Sequence, residues 1–218
     1  NGCQPAGGGR ISLIQTAANA TYDSLPANVT AYGSFCIKNT GFEVVMQQPN
    51  ATKSGAGTIY YEVPSDQGRG KLIVKNPFDI GFNDMTYVTE FTSVMDQDLD
   101  FGEIEIGPGA TIRVTEGCGM TNFANTVISG AGRFIVDNDL KLAATAVWEG
   151  VRLYPQNGAA IWGAESTTFD GAIAYLTGVS EAPCAVALVN GAKLTTLRTT
   201  SAKQAVDDSW RVDLHVAG

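Results

Sequence analysis

Ser129-Gly130-Ala131-Gly132-Arg133-Phe134-Ile135-Val136 runs from a corner of small residues directly into a strand-forming stretch, and Ser54-Gly55-Ala56-Gly57-Thr58-Ile59 repeats the pattern earlier in the chain. Glycine tolerates a left-handed backbone, whereas Phe, Ile and Val favour a pleated one. A second motif accompanies the first. Pro108-Gly109-Ala110-Thr111-Ile112 is echoed by Asn157-Gly158-Ala159-Ala160-Ile161 and by Asn190-Gly191-Ala192-Lys193-Leu194. The interval from Gly55 to Gly130 fits three units of about 25 residues, and that from Gly109 to Gly158 fits two. The shorter step from Gly158 to Gly191 falls out of phase and requires a loop insertion.

Working outward, short alternating or β-branched runs recur at 58–63, 71–75, 103–106, 111–114 and 133–136. Turn signals separate them: Asn76-Pro77, Gly107-Pro108-Gly109, Asn157-Gly158 and Asn190-Gly191. Only Ile11–Ala20 and Ala202–Asp208 could form short helices. The expected class is all-β.

On the Ser-Gly-Ala-Gly strand entries and the Gly-Ala-x-(Ile/Leu) turns, residues 54–200 resemble right-handed parallel β-helices. These include autotransporter passenger domains, phage tailspikes and fibres, and pectate-lyase-type proteins. The resemblance implies a single-stranded parallel β-helix, a solenoid with terminal caps. Each coil would carry inward Ile, Val and Leu that only neighbouring coils can cover. Residues 1–53 then read as an N-terminal cap or assembly segment, 54–200 as the β-rich main domain and 201–218 as a C-terminal cap strand. Two features point the other way. Phe78–Phe101 has no coil rhythm. A bridge between Cys118 and Cys184 would cross between two and three units, too far for the ~5.5 Å Cα separation of a disulfide. The alternative fold is an antiparallel β-sandwich or jelly roll.

Composition narrows function by exclusion. The 218 residues hold 14 Lys and Arg against 22 Asp and Glu, a net charge of −8, and charged residues make up 17%. The basic residues are scattered rather than clustered as phosphate binding requires, so no nucleic-acid partner is expected. No apolar run approaches the ~20 residues of a membrane span. The chain begins at Asn1 without a basic, apolar leader, and the expectation is a soluble or polymerising chain. Low charge with 25 glycines suits an extracellular, cell-surface or virion-surface β protein.

Four cysteines, Cys3, Cys36, Cys118 and Cys184, permit two disulfides in three connectivities. Cys3–Cys36 with Cys118–Cys184 is the expected pairing, against buried free thiols. No Cys-x-x-Cys spacing suggests zinc. Glycosylation sequons begin at Asn19, Asn28 and Asn50.

Chemistry-bearing clusters are few. Asp96, Asp98 and Asp100 alternate, and three carboxylates on one face could bind calcium. Phe101 and Gly107 occupy positions where an EF-hand loop needs Gly and Glu, so that motif is rejected, and a solvated acidic loop is the simpler reading. Asp137-Asn138-Asp139 reads as a turn. Glu103 and Glu105 share one strand face opposite Ile104 and Ile106, and with Glu116 or Asp96–Asp100 they could supply a glycosidase's two carboxylates. A half-buried strand looks the same. Trp148, Tyr154, Trp162, Phe169 and Tyr175 could form a sugar-stacking face, but their spacing fits core packing better. His215 is the only histidine. There is no Gly-x-Ser-x-Gly elbow, no phosphate loop and no pair of histidines for a metal.

These features lead to a non-enzymatic extracellular structural or adhesive protein: a self-associating subunit of a filament, surface coat or virion appendage. Its terminal segments would pair with a neighbouring copy, and residues 1–14 would be needed for assembly. A glycan hydrolase or lyase, and a calcium- or carbohydrate-binding module that meets surface glycan, are the alternatives.

Overall fold

The computed structural model describes residues 7–24, 26, 28–33, 35–36, 52–53, 55–76, 88–91, 101–115, 122–124, 126–137, 140–156, 158–176, 179–196 and 213–216. They form a β-solenoid of about four turns. The entry to the stack holds β1 (Arg10–Ile14), β2 (Phe35–Cys36), β3 (Thr52–Lys53), β4 (Thr58–Glu62) and β5 (Lys71–Val74). Here β2 and β3, and β4 and β5, pair antiparallel. The coils follow with β6 (Thr89–Phe91), β7 (Glu103–Ile106), β8 (Thr111–Val114), β9 (Asn122–Phe123), β10 (Val127–Ser129) and β11 (Arg133–Val136). They continue through β12 (Lys141–Leu142), β13 (Thr145–Glu149), β14 (Arg152–Pro155), β15 (Ser166–Asp170), β16 (Ile173–Leu176), β17 (Val179–Ala182), β18 (Ala185–Val189), β19 (Lys193–Thr196) and β20 (Asp213–Val216).

An eight-stranded sheet runs β1-β4-β5-β7-β10-β13-β15-β18, and a six-stranded sheet runs β19-β16-β14-β11-β8-β6. Two-stranded pairs β9–β12 and β17–β20 stand apart from both. In the larger sheet every strand pairing from β5 onward is parallel, which removes the antiparallel sandwich and the jelly roll.

Stacking builds the core as ladders of equivalent position. In the larger sheet Leu72, Ile104, Ile128, Trp148, Phe169 and Leu188 are successive register partners. In the smaller one Ile112, Phe134, Leu153, Ala174 and Leu194 are. The strand sequences dictate which face turns inward. β7 reads Glu-Ile-Glu-Ile, and both isoleucines are fully buried. Each buried Ile, Leu or Phe contributes about 1.5–3 kcal/mol by leaving water. Aromatic residues fill the centre: Phe134 meets Trp148 at 5.9 Å between centroids and Phe123 edge-on at 6.1 Å. The Trp148 indole donates to the Ile161 carbonyl at 3.1 Å, which satisfies its one polar atom.

The repeat is shorter than the sequence motifs suggest. From Ile128 onward the ladder partners Trp148, Phe169 and Leu188 recur every ~20 residues rather than every ~25. One corner carries the period, between the two large sheets, where Gly109, Gly130, Gly150, Gly171 and Gly191 all have positive φ. Their spacing is nearly constant. Gly158 also has positive φ but lies at a different corner, between β14 and β15. The step from Gly158 to Gly191 therefore joins two unlike corners and needs no insertion. Gly150-Val151-Arg152-Leu153 and Gly171-Ala172-Ile173-Ala174 are the copies that a strict Gly-Ala-x-(Ile/Leu) pattern passes over.

Two further expectations are corrected. Ile11–Ala20 begins as strand, not helix, since Arg10–Ile14 pairs with β4 in register. The stretch Phe78–Phe101 does contribute a rung, because Thr89–Phe91 pairs with β8 and Phe91 is buried. The segment Ala202–Asp208 lies outside the described residues. At the entry, Gly8, Gly57 and the Ala31 carbonyl meet backbone to backbone. A Cβ on either glycine would fall inside contact distance of those backbone atoms.

Candidate functional site

The richest polar cluster sits on the outward face of the larger sheet, where β5 and β7 lie side by side. Lys71 pairs with Glu103 in register, and Glu105 follows two positions on. Period-two alternation puts all three outward while Leu72 and Ile104 point into the core. Lys71 Nζ lies 3.1 Å from Glu103 Oε1 and 2.7 Å from Glu105 Oε2. The Ser129 hydroxyl on β10 donates to Glu103 Oε1 at 3.1 Å. Partial burial of Lys71 opposes its charge, but hydrogen bonds and attraction from Glu105 and Glu103 outweigh that and raise its pKa above the ordinary lysine value. The two glutamates expected to share a face do so. Nothing local in the sequence signals the lysine between them, because β5 and β7 pair across segments far apart in the chain.

Other described carboxylates are tied into the scaffold as well. Asp66 accepts from the Tyr22 hydroxyl at 2.7 Å and from the Val63 amide at 2.8 Å. Glu62 accepts from Tyr60 at 2.8 Å. Asp137 is held by Arg113 Nε at 2.6 Å. Asp170 accepts from the Asn190 side chain at 2.6 Å. Among the described residues no group of three or more His, Cys, Asp or Glu side chains could hold a metal. Asp96, Asp98 and Asp100, together with Glu116, Asn138 and Asp139, lie outside the described residues.

The aromatic residues do not form an exposed stacking face. Trp148, Tyr154 and Phe169 are buried. Trp162 packs edge-on against Phe169 at 5.9 Å. Tyr154 and Tyr175 stack at 4.7 Å and 7° on the outer side of the smaller sheet. Burial, with the neighbouring Tyr175, pushes the Tyr154 phenol up to about 12. A small cleft of about 160 Å³ opens where β9 and β12 meet β10 and β13, lined by Phe123, Val127, Leu142, Val147 and Trp148 among others. Its lining is mainly apolar, and no pair of ionisable groups converges there.

Of the cysteines, Cys184 is a buried free thiol, its Sγ 3.4 Å from Thr167 Oγ1. Cys118, its expected partner, and Cys3 lie outside the described residues, and Cys36 is placed only as backbone in β2. Asn19 and Asn28 are exposed in the segment after β1, and Asn50 lies outside the described residues. His215 pairs as backbone with Glu181 between β20 and β17. No helix among the described residues is long and apolar enough to cross a membrane.

No family model, curated protein or solved structure matches this chain.

Proposed function

We propose that this chain is a non-enzymatic structural or adhesive protein of an extracellular, cell-surface or virion-surface setting. It acts as a self-associating subunit of a filament, coat or appendage. The observation that carries the reading is the architecture of the larger sheet, whose outermost strands among the described residues are two five-residue strands, β1 and β18. Edge strands present unpaired N–H and C=O groups, and pairing such edges between copies builds assemblies from β modules. Large side chains at both ends support it: Ile14 on β1 is 58% exposed and Leu188 on β18 is 48% exposed.

The contacts of Glu103 and Glu105 favour a structural role over the alternative of glycan hydrolysis or lysis. A glycosidase needs one carboxyl to carry a proton for the leaving group, whereas here both contact one ammonium. Sedimentation velocity over a wide concentration range tests the reading. Growth of the sedimentation coefficient with concentration supports it, and a concentration-independent monomer contradicts it. A panel of acidic polysaccharides tests the enzymatic alternative, which requires turnover that is lost in Glu103→Gln. A thermal shift in millimolar calcium tests the calcium-binding alternative.

A further inference from the structure

One edge of the larger sheet, β18, lacks the charge with which a protected edge is built. Natural sheets place charged residues on edge strands to keep other strands away. Here the five-residue strands inside the sheet each carry one charge: Glu62 on β4, Glu149 on β13 and Asp170 on β15. The edge strand β1 carries Arg10. The edge strand β18, Ala185-Val186-Ala187-Leu188-Val189, carries none. Val189 occupies on β18 the register position that Asp170 holds on β15, so the acidic side chain is dropped at the outermost described strand of this sheet. No strand among the described residues pairs with the far side of β18.

We infer that β18 is a self-recognition edge, which pairs antiparallel with β18 of a second copy about a two-fold axis at Ala187. This rests on the self-association reading and names its interface. The pairing sets Leu188 of one copy opposite Val186 of the other, and Ala185 opposite Val189. Both members of each pair then lie on the same face, as strand alternation requires. Val186 and Leu188 are the inward residues, partners of Thr167 and Phe169, so the two apolar cores become continuous. Ala185, Ala187 and Val189 face outward and meet no charge. For two chains of net charge −8 each, a neutral strand is where approach costs least electrostatically.

The test compares the wild-type chain with Ala187→Lys and Ala185→Lys, two outward positions where lysine can reach water. Light scattering gives the mass, hydrogen exchange reads the amides of 185–189, and circular dichroism checks the fold. The wild type is expected to form a species of twice 22.9 kDa, with 185–189 more protected as concentration rises. Either lysine should weaken dimerisation about tenfold or more with an unchanged dichroism spectrum. A wild type that stays monomeric overturns both this inference and the self-association reading. If its 185–189 amides are nonetheless protected, another part of the chain covers the edge. An oligomer that persists in both variants with unchanged exchange at 185–189 overturns this interface alone.

Discussion

Leu188 is the register partner of Phe169, one rung further along the same inward ladder, yet Phe169 is 0% exposed and Leu188 48%. The difference is positional rather than chemical. Phe169 has a rung on each side, whereas Leu188 has a described rung on one side only. Phe169→Ala should therefore cost about 3–5 kcal/mol by opening a cavity in a packed stack. Leu188→Ala should cost much less in dilute monomer, but should weaken any concentration-dependent assembly. Chemical denaturation at low protein concentration, paired with sedimentation at high concentration, separates the two effects.

Lys71 bridges two glutamates that would otherwise repel each other. Lys71→Met should destabilise the fold. The glutamates, each about a third exposed, are screened enough by solvent to hold the loss to about 0.5–1 kcal/mol. The difference from wild type should shrink in high salt. The raised pKa of Lys71 fixes the sign of the pH effect. Its contribution is complete below the unfolded lysine value of ~10.4 and is lost as pH rises through the higher folded value. The alkaline limb of the wild-type stability curve should accordingly fall more steeply than that of the variant.

The glycines separate two kinds of cost. Gly171 has φ +61°, and a Cβ there would meet only the Asn190 carbonyl, at an ordinary 3.7 Å. Gly171→Ala should then cost about 1–2 kcal/mol from left-handed strain alone. Gly57 has no such torsion but sits against the backbone of Gly9 and Ala31. Gly57→Ala must push two chain segments apart and should be the more damaging of the two in thermal melts.

Tyr154 should remain a neutral phenol well past the point where exposed tyrosines ionise. Burial raises its folded value to about 12 from an unfolded value of ~10. Its stabilising contribution is therefore complete below pH ~10 and declines as pH rises through the folded value. An absorbance titration of phenolate should place Tyr154 in the late-ionising phase. Tyr154→Phe should leave the early phase unchanged and remove amplitude only from the late one.

The fold class could be read from the sequence because strand alternation and corner glycines are local signals. Glu103-Ile104-Glu105-Ile106 states its inward face in four letters. The coil length could not be read as easily. Gly-Ala-x-(Ile/Leu) occurs at two different corners, and at Gly150-Val151 and Gly171-Ala172 the true corner varies its letters while keeping one backbone torsion. Torsion, not residue identity, is what repeats. Contacts between rungs were the least legible. Lys71 meets Glu103 because β5 and β7 pair in parallel register, and nothing within either segment announces the other.

A solenoid that joins copies through the β18 edge of its larger sheet should reveal that joint directly in negative-stain images of the purified wild-type chain beside Ala187→Lys. The wild type should appear as stacks joined end to end, twice the length of a single stack, and the variant as single short stacks. Single stacks in the wild type, at a concentration no lower than that used for sedimentation, would contradict joining at β18.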